Sequence, residues 1–246
     1  MESMQKTPSS PIPKPVSAGW QPVQPRLPSL TWNRRLFRTF IRWVCRIAVR
    51  LCTRSTVHGI ENYPLQNPAL VVINHLGDPD GILLLAYLPE FPEVIGKIEL
   101  RNISVLGWVM DGLGTIWVHR GQPDRRAITT ALEALLKGRR VIIAPEGRES
   151  LTGMLEPGTD GAAYLALKAG VPVLPVTVTG TETRRVLGNL KHLRRTTVTL
   201  TVGPLFFLQQ HADRQEALRQ GTRQIMETLA LQLPPEYRGV YSYVGK

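Results

Sequence analysis

A histidine and an aspartate stand five positions apart, with four residues between them, directly after an apolar β-branched segment. The segment reads VVINHLGDPDG over residues 71–81 and carries His75, Asp78 and Asp80. Asp78 followed by proline is a favoured helix start, which leaves Asp80 in the first helical turn. From there Asp80 can accept a hydrogen bond from the His75 ring, fix its tautomer and raise the basicity of the other ring nitrogen. The spacing indicates a general base; a capping histidine beside a helix-start acid is the structural alternative.

Two further apolar segments end in charged residues. LGTIWVHR ends at Arg120, and IIAPEGR ends in Glu146, Gly147 and Arg148. Loops at strand ends are an expected place for chemistry, so these side chains are candidates to join the histidine. A base beside arginines is typical of a site that binds an anion and removes a proton. For Glu146 the structural alternative is a strand-end cap that satisfies turn amides.

Four ordered blocks of the sequence resemble the glycerolipid acyltransferases typified by 1-acylglycerol-3-phosphate acyltransferase. NHLGDPD resembles the family's Asn-His-x4-Asp block, and GTIWVHR resembles its Gly-x-Ile-x-x-x-Arg strand end. APEGRES is similar to the Phe-Pro-Glu-Gly-Thr-Arg-Ser turn, and VPVLPV to the Val-Pro-hydrophobic-x-Pro-Val strand. The matching positions are Asn74, His75, Asp80, Gly114, Arg120, Pro145, Glu146, Gly147 and Ser150. Four blocks in order, over about residues 60–205, are far more specific than His-x4-Asp alone.

The resemblance implies transfer of a fatty acyl group from an acyl thioester, on coenzyme A or acyl carrier protein, to a lysophospholipid hydroxyl in phospholipid biosynthesis. The first acceptor it implies is 1-acylglycerol 3-phosphate; glycerol 3-phosphate, another lysolipid or an amino-lipid are alternatives. His75, oriented by Asp80, would accept the hydroxyl proton. The thioester is a co-substrate, so no cofactor is expected, and backbone amides around Gly147 are candidate oxyanion donors. The expected substrate-binding residues are Asn74, Lys97, Arg120, Glu146, Gly147 and Arg148.

The third block departs from the family's pattern. Where the family has Thr-Arg, the chain has Arg148 and Glu149, and Glu156 stands where the family has a lysine. Two positive charges are thereby lost or moved. A phosphate clamp can still form from Arg148, Arg120 and Lys97, since a bidentate guanidinium suits phosphate. Alternatively, Glu149 faces the site and favours an acceptor that carries a cation.

Around these blocks, apolar β-branched runs alternate with helical segments. Strands are predicted within residues 69–73, 115–119, 141–144, 171–178 and 197–202, and helices within 79–88, 124–137, 159–169 and 212–232. This alternation predicts an α/β fold with a mixed, largely parallel central sheet flanked by helices.

The segment at residues 31–54 is strongly basic and amphipathic. It carries seven arginines and no acid, and arginines recur every fourth residue from Arg34 to Arg54. That spacing places them on one helical stripe, with aromatic and aliphatic residues between them. The pattern is typical of a helix in a membrane interface, where cations meet anionic lipid. The alternatives are an amphipathic helix packed on the domain and a basic helix on nucleic acid.

Composition limits the structural class of the protein and the cellular compartment in which we expect it. The chain has 246 residues, 43% apolar and 20% charged, with a net charge of +11, which is typical of a globular protein with a core. Its two cysteines provide neither a disulfide framework nor metal-ligand spacing, which favours a reducing compartment. We therefore expect a proline-rich disordered tail at 1–30, a membrane-interface helix at 31–54 and an acyltransferase domain at 55–246. The expected location is the cytoplasmic face of a membrane, as a peripheral or monotopic protein.

Other functions explain the sequence less well. A chloramphenicol-acetyltransferase-like His-x3-Asp-Gly site fails because the Asp-Gly pair stands one residue too far from the histidine. A nonenzymatic membrane-surface protein would not need the four blocks. A nucleic-acid binder would expose aromatics across its strands, which are apolar here, so no nucleic-acid partner is expected. The remaining histidines lack ligand-spaced partners, so no metal is expected either: His58, His119, His192 and His211.

Overall fold

The computed structural model describes residues 27–119 and 124–245. Within them, seven strands form one sheet in the order β1-β7-β6-β2-β5-β3-β4. The strands are β1 (Thr53–His58), β2 (Leu70–Ile73), β3 (Glu93–Lys97), β4 (Ile116–Val118), β5 (Val141–Ile143), β6 (Val173–Thr179) and β7 (Thr196–Val202). The helices are α1 (Trp32–Cys52), α2 (Pro79–Tyr87), α3 (Ser104–Leu113), α4 (Arg125–Leu136), α5 (Gly161–Ala169), α6 (Thr183–Lys191) and α7 (Arg214–Gln232).

The direction of the strands decides where chemistry can gather. Neighbouring strands are parallel except β6 and β7, which are antiparallel. The carboxyl ends of β2 to β6 therefore lie at one edge of the sheet. Because Thr179, at the end of β6, pairs with Thr199, the starts of β1 and β7 lie at that same edge. The predicted mixed, largely parallel α/β fold is confirmed.

Two apolar clusters cover the two faces of the sheet. In β2, Leu70 and Val72 belong to one cluster, while Val71 and Ile73 belong to the other. Helices α4, α5 and α7 cover the first face, and α1 and α2 cover the second. Burying a large aliphatic side chain contributes about 1.5–3 kcal/mol, so this doubly covered strand is a rigid support for the residues that follow it.

Helix α1 is part of the folded domain. It begins after Thr31, whose hydroxyl accepts the Arg34 amide at 3.4 Å, and it buries Ile41, Cys45 and Val49. The sequence predicted a helical segment through residue 54, but the helix ends at Cys52 and β1 follows at once. The reason is pairing: Thr53 and the residue after it extend the β7 ladder. The expected boundary between residues 54 and 55 thus falls inside a strand.

The last residues of the predicted tail also contact the domain. The Pro28 carbonyl accepts a hydrogen bond from Arg139 at 2.8 Å, and Leu27 packs against the core. Residues 27–30 therefore belong to the domain, in contrast to the predicted tail over 1–30; residues 1–26 lie outside the described residues. Within the described part of the chain, no helix is both long and apolar enough to cross a membrane.

Candidate active site

His75 and Asp80 meet at the carboxyl edge of the sheet. His75 follows β2 by two residues, and its Nδ1 lies 2.8 Å from Oδ2 of Asp80 in the first turn of α2. The same oxygen accepts the amides of Leu76, at 2.8 Å, and Gly77, at 3.1 Å. With Nδ1–H donating to the carboxylate, the lone pair of the imidazole lies on Nε2. The His75 side chain is 28% exposed, so a substrate can reach it.

Side chains from other elements hold the loop that carries the histidine. The His75 amide donates to Oε1 of Glu146 at 3.4 Å, and the Asp78 amide donates to Oγ1 of Thr183 at 3.1 Å. The two amides between them donate to the carboxylate in α2. All four amides of residues 75–78 thus have side-chain acceptors, which fixes the orientation of the ring. The structure differs from the prediction at Asp78, which is the N-cap residue of α2 but makes no side-chain cap hydrogen bond.

Asn74 contacts the neighbouring strand. Its Nδ2 donates to the Val178 carbonyl at 2.9 Å, and its Oδ1 accepts the Val178 amide at 2.8 Å. The residue is 2% exposed. Asn74 was expected to bind substrate. Its side chain is instead buried and joins the end of β2 to β6, beside the histidine.

Glu146 is buried beneath the histidine loop. Besides the His75 amide, it accepts the Glu156 amide through Oε2 at 2.8 Å. Burial raises the pKa of Glu146 to about 7, and the nearby charge of Glu156 adds to the rise, while the two amide hydrogen bonds oppose it. The carboxyl group accepts backbone amides from two loops, as the capping alternative anticipated, and so connects the strand end at β5 to the base.

The amide of Gly147 is already occupied. It donates to the Ala144 carbonyl at 3.0 Å, in a turn where Gly147 has φ of 74°. That left-handed conformation favours glycine. Since this amide is bonded within its own turn, it cannot also bind an oxyanion, in contrast to the expectation for Gly147 itself.

Arg148 is paired with Glu156, the acid that stands where the family has a lysine. Its Nε and Nη2 donate to Oε2 of Glu156 at 3.0 and 2.6 Å. The other oxygen of Glu156 accepts the Leu151 amide at 2.7 Å. The hydrogen bond from the Leu151 amide and that from Arg148 hold the pKa of Glu156 below its usual range. The charge of Arg148 is thus neutralised by Glu156, while the Arg148 side chain stays 56% exposed.

The other predicted cations lie at the same edge or outside the described residues. Lys97 is the last residue of β3, which pairs with both β5 and β4, and it is partly buried. Like His75, Lys97 lies at the carboxyl edge of the sheet, and its strand is two strands away from β2. Arg120 lies outside the described residues; its strand, β4, ends at Val118.

Sequence reasoning missed Thr183 and the pairing of Glu156. Thr183 is the first residue of α6, and its contact with the histidine loop arises only when α6 packs beside that loop. Glu156 was noted as a departure from the family pattern, yet its link to Arg148 spans eight residues of loop. The only available signal was charge compensation, an acid gained close to a moved arginine.

Part of the arginine stripe of α1 points toward the domain. Arg38 donates to the Leu113 carbonyl at 2.9 Å and to Glu93, and burial lowers its pKa. Arg42 and Arg46 donate to carbonyls at the end of α2 and just beyond it. Exposed on α1, beside Arg35, Arg46 and Arg50, are seven large apolar residues: Trp32, Leu36, Phe40, Trp43, Val44, Ile47 and Leu51. The sequence predicted a stripe of arginines that meets anionic lipid; Arg38 and Arg42 are instead drawn inward by Glu93 and by backbone carbonyls.

Apolar residues of the α3 region extend this surface. Ile103, Val105 and Trp108 are exposed, and the Trp108 ring contacts Phe37 of α1 edge-on at 5.2 Å. Helices α1 and α3 therefore present one exposed apolar face. Contiguous apolar surface of this kind marks an interaction with another protein or with a membrane.

A family model described as Acyltransferase matches residues 54–179, about half of the chain. A chloroplastic 1-acyl-sn-glycerol-3-phosphate acyltransferase from Brassica napus is 34% identical over 153 residues, which cover 60% of this chain and 44% of that protein. The lyso-ornithine lipid O-acyltransferase of Pseudomonas aeruginosa is 33% identical over 162 residues, covering 65% of this chain and 61% of that protein.

A solved structure matches the fold as well. The crystal structure of the 1-acyl-sn-glycerophosphate acyltransferase from Thermotoga maritima aligns with a TM-score of 0.62 and 25% identity, covering 82% of this chain and 84% of that chain. In the sequence matches, by contrast, the chain spans about half the length of the first curated relatives: 44% of the Brassica napus protein and 42% of a chloroplastic 1-acyl-sn-glycerol-3-phosphate acyltransferase from Arabidopsis thaliana.

Proposed function

The chain belongs to the acyltransferase family, and from this premise we propose that it moves a fatty acyl group from an acyl thioester to a hydroxyl of a lysophospholipid, 1-acylglycerol 3-phosphate, in phospholipid biosynthesis. The observation that carries the proposal is the 2.8 Å contact between His75 and Asp80 at the carboxyl edge of the sheet. The thioester donor is carried by coenzyme A or acyl carrier protein.

The pair His75 and Asp80 suits a direct transfer. A neutral hydroxyl becomes a competent nucleophile when its proton leaves during attack, and Nε2 of His75 is the proposed acceptor. The hydroxyl oxygen forms a bond to the thioester carbonyl carbon, and the proton moves to Nε2. The tetrahedral intermediate then expels the thiolate, which takes the proton back from the imidazolium. Asp80 stabilises the imidazolium between these steps.

Glu146 and Asn74 act in this proposal as positioning residues. Glu146 holds the His75 amide, and Asn74 joins β2 to β6 one residue earlier. Misplacement of a base by about 1 Å can lower a rate about 100-fold, so such support bears on catalysis without touching substrate.

A phosphate on the acceptor would be bound by Arg148, Lys97 and Arg120. Arg148 can supply a bidentate grip through its Nη1–Nη2 edge while Nε and Nη2 stay on Glu156, or it can exchange Glu156 for the phosphate. A phosphate can reach this guanidinium because the Arg148 side chain is 56% exposed.

The same pairing favours a second candidate acceptor, an amino-lipid. With Arg148 neutralised by Glu156, the third block offers less positive charge than the family pattern, and Glu149 adds an acid. An acceptor with an ammonium group suits such a loop. The relative from Pseudomonas aeruginosa named for lyso-ornithine lipid supports this second reading.

The exposed apolar face of α1 and α3 supports attachment to the surface of a membrane, where a lysolipid acceptor resides. Side chains such as Trp43 and Trp108 suit insertion at the boundary between headgroups and acyl chains. We assign the chain to the cytoplasmic face as a peripheral or monotopic protein.

An acceptor screen tests the function. The full chain is given one labelled acyl thioester, with lysophosphatidate, glycerol 3-phosphate, a zwitterionic lysophospholipid and lyso-ornithine lipid in parallel. The first proposal predicts the highest kcat/KM for lysophosphatidate, and a preference for lyso-ornithine lipid would establish the second. Transfer to none of them, from both thioester donors, would contradict both.

A further inference from the structure

A wide concavity that shares no lining residue with the proposed active site is lined by four arginines. It encloses about 600 Å³ and lies where the end of α1 meets the starts of β1 and β7. Its arginines are Arg46, Arg50, Arg54 and Arg195. Four hydroxyl side chains, among them those of Ser55 and Thr197, complete the lining, which contains no carboxylate among the described residues.

The surrounding chain is free of acids. Residues 31–60 contain seven arginines and residues 183–212 contain four arginines and one lysine, with no Asp or Glu in either segment. The ladder between β1 and β7 brings the two segments together, with Arg54 opposite Thr197. Guanidinium groups crowded on one wall repel one another, and a bound anion relieves that repulsion.

Two of the arginines are held in place and two are left for a ligand. Arg46 donates through Nε to the Ala86 carbonyl at 2.9 Å, and Arg195 donates through Nε to the Thr53 carbonyl at 2.8 Å. Across residues 27–119 and 124–245, neither the Arg50 nor the Arg54 side chain has a hydrogen bond or an ion pair. Arginine has five N–H donors, so all four side chains retain donors for an anion, and hydroxyls can supplement them.

The concavity borders the apolar face of α1. Arg46 and Arg50 stand three and seven residues after Trp43, and Ile47 and Leu51 continue the exposed apolar stripe beside them. Residues at these spacings are neighbours on a helix surface. If the apolar face enters a membrane, the four guanidinium groups come to the level of the headgroups.

We propose that this arginine concavity binds the headgroup phosphate of an anionic phospholipid. Planar guanidinium groups recognise phosphate oxygens in bidentate fashion, and the hydroxyls of Thr56 and Thr197 can donate to the same oxygens, whereas those of Ser55 and Tyr87 bond to each other. The apolar stripe beside the concavity selects a phosphate in a membrane over one in solution. The proposal rests on the membrane attachment proposed above but not on acyl transfer, because the lining includes neither His75 nor Asp80.

Vesicle flotation of the full chain tests the site. Three vesicles are compared: phosphatidylcholine alone, phosphatidylcholine with phosphatidylglycerol, and phosphatidylcholine with cholesteryl hemisuccinate at matched surface charge. The double variant Arg50→Gln/Arg54→Gln removes the two arginines without protein partners, so its fold should be unchanged. Arg219→Gln/Arg223→Gln, on α7 at the opposite face of the sheet, is the control with the same change of net charge.

Wild type should bind phosphatidylglycerol vesicles more tightly than hemisuccinate vesicles. The Arg50/Arg54 variant should lose roughly 10- to 30-fold in affinity for phosphatidylglycerol vesicles and clearly less for hemisuccinate vesicles, because charge attraction is lost on both but bidentate phosphate contacts only on the first, while the control variant keeps its affinity. An equal loss on both anionic vesicles would reduce the site to general charge attraction and overturn the proposal.

Two further results distinguish a failure of the lipid assignment from a failure of the membrane attachment. Binding of soluble glycerol phosphate that depends on Arg50 and Arg54, with vesicle binding unchanged, would overturn the lipid assignment. Trp43→Ser/Leu51→Ser should weaken binding to all three vesicles; wild type that floats with none of them would overturn the membrane attachment itself. Neither result depends on whether the chain transfers acyl groups.

Discussion

At the residue scale, the account depends on which nitrogen of His75 carries hydrogen. Asp80→Asn should lower kcat by about 100- to 10,000-fold, because the amide can donate to Nδ1 and leave the wrong tautomer for proton removal. The same atom of Asp80, Oδ2, also accepts the Leu76 and Gly77 amides, so this orientation places the new NH2 group against two donors and should lower Tm, while the circular dichroism spectrum changes little. Asp78→Asn is the matched control, two residues earlier and without a side-chain cap hydrogen bond. Full activity in Asp80→Asn would refute the orienting role.

The pairing of Arg148 with Glu156 leads to a second prediction at this scale. Arg148→Ala should raise KM for a phosphate-bearing acceptor far more than KM for the acyl thioester, since acceptor binding is what is lost. Glu156→Gln, which frees the guanidinium but keeps an acceptor for the Leu151 amide, should lower KM for the same acceptor. Steady-state kinetics with each substrate varied in turn measures both. Equal effects of Arg148→Ala on the two substrates, or better use of phosphate acceptors in Glu149→Ala alone, would favour the amino-lipid acceptor.

Contacts between catalytic residues that lie close together along the chain could be predicted from the sequence. The contact between His75 and Asp80 follows from a helix start placed between them, and the structure contains it. The contacts of Asn74, Thr183 and Glu156 could not be predicted, because each partner lies on an element whose position is set by tertiary packing.

At the element scale, Glu146 in the turn after β5 makes the stability of the fold depend on pH. Burial raises the pKa of Glu146 to about 7 from 4.5, so the folded state binds a proton that the unfolded state has released. Stability contributed by this group is therefore present at low pH and falls as pH rises through that window. The wild-type free energy of unfolding, relative to that of Glu146→Gln, should drop on the order of 2 kcal/mol between about pH 5 and pH 8. Urea unfolding of both proteins measures the difference; parallel pH profiles would contradict it.

Element type was predictable where one periodicity dominated. The doubly buried β2 and β6 and the long helices α4 and α7 lie within a few residues of their predicted ranges. Strands β1 and β3 and helices α3 and α6 were not predicted. Strand β1 is polar and half exposed at an edge, α3 contains two glycines that lower helix propensity, and α6 buries only Val186. Their formation depends on neighbours more than on their own pattern.

At the scale of the whole molecule, the N-terminal helix is a structural part of the domain. Removing residues 1–54 would take away α1 and two residues of β1, and with them the buried side chains of Ile41, Cys45 and Val49. Each such loss costs about 1.5–3 kcal/mol, so the truncated chain should lose most of its stability. Removing residues 1–26 should leave Tm unchanged within about 2 °C, on the scale where 1 kcal/mol shifts Tm by about 2–4 °C. Thermal unfolding of both truncations is the measurement, and a stable 55–246 fragment would contradict the assignment.

The central claim is that His75 removes the acceptor proton during acyl transfer. Its most direct test is a single-turnover assay of His75→Ala with a labelled acyl thioester and the best acceptor from the screen, beside His192→Ala as a histidine control at the exposed end of α6. The account predicts that His75→Ala binds the thioester normally but transfers the acyl group at least about 1,000-fold more slowly, while His192→Ala matches wild type. Wild-type transfer by His75→Ala would contradict the account.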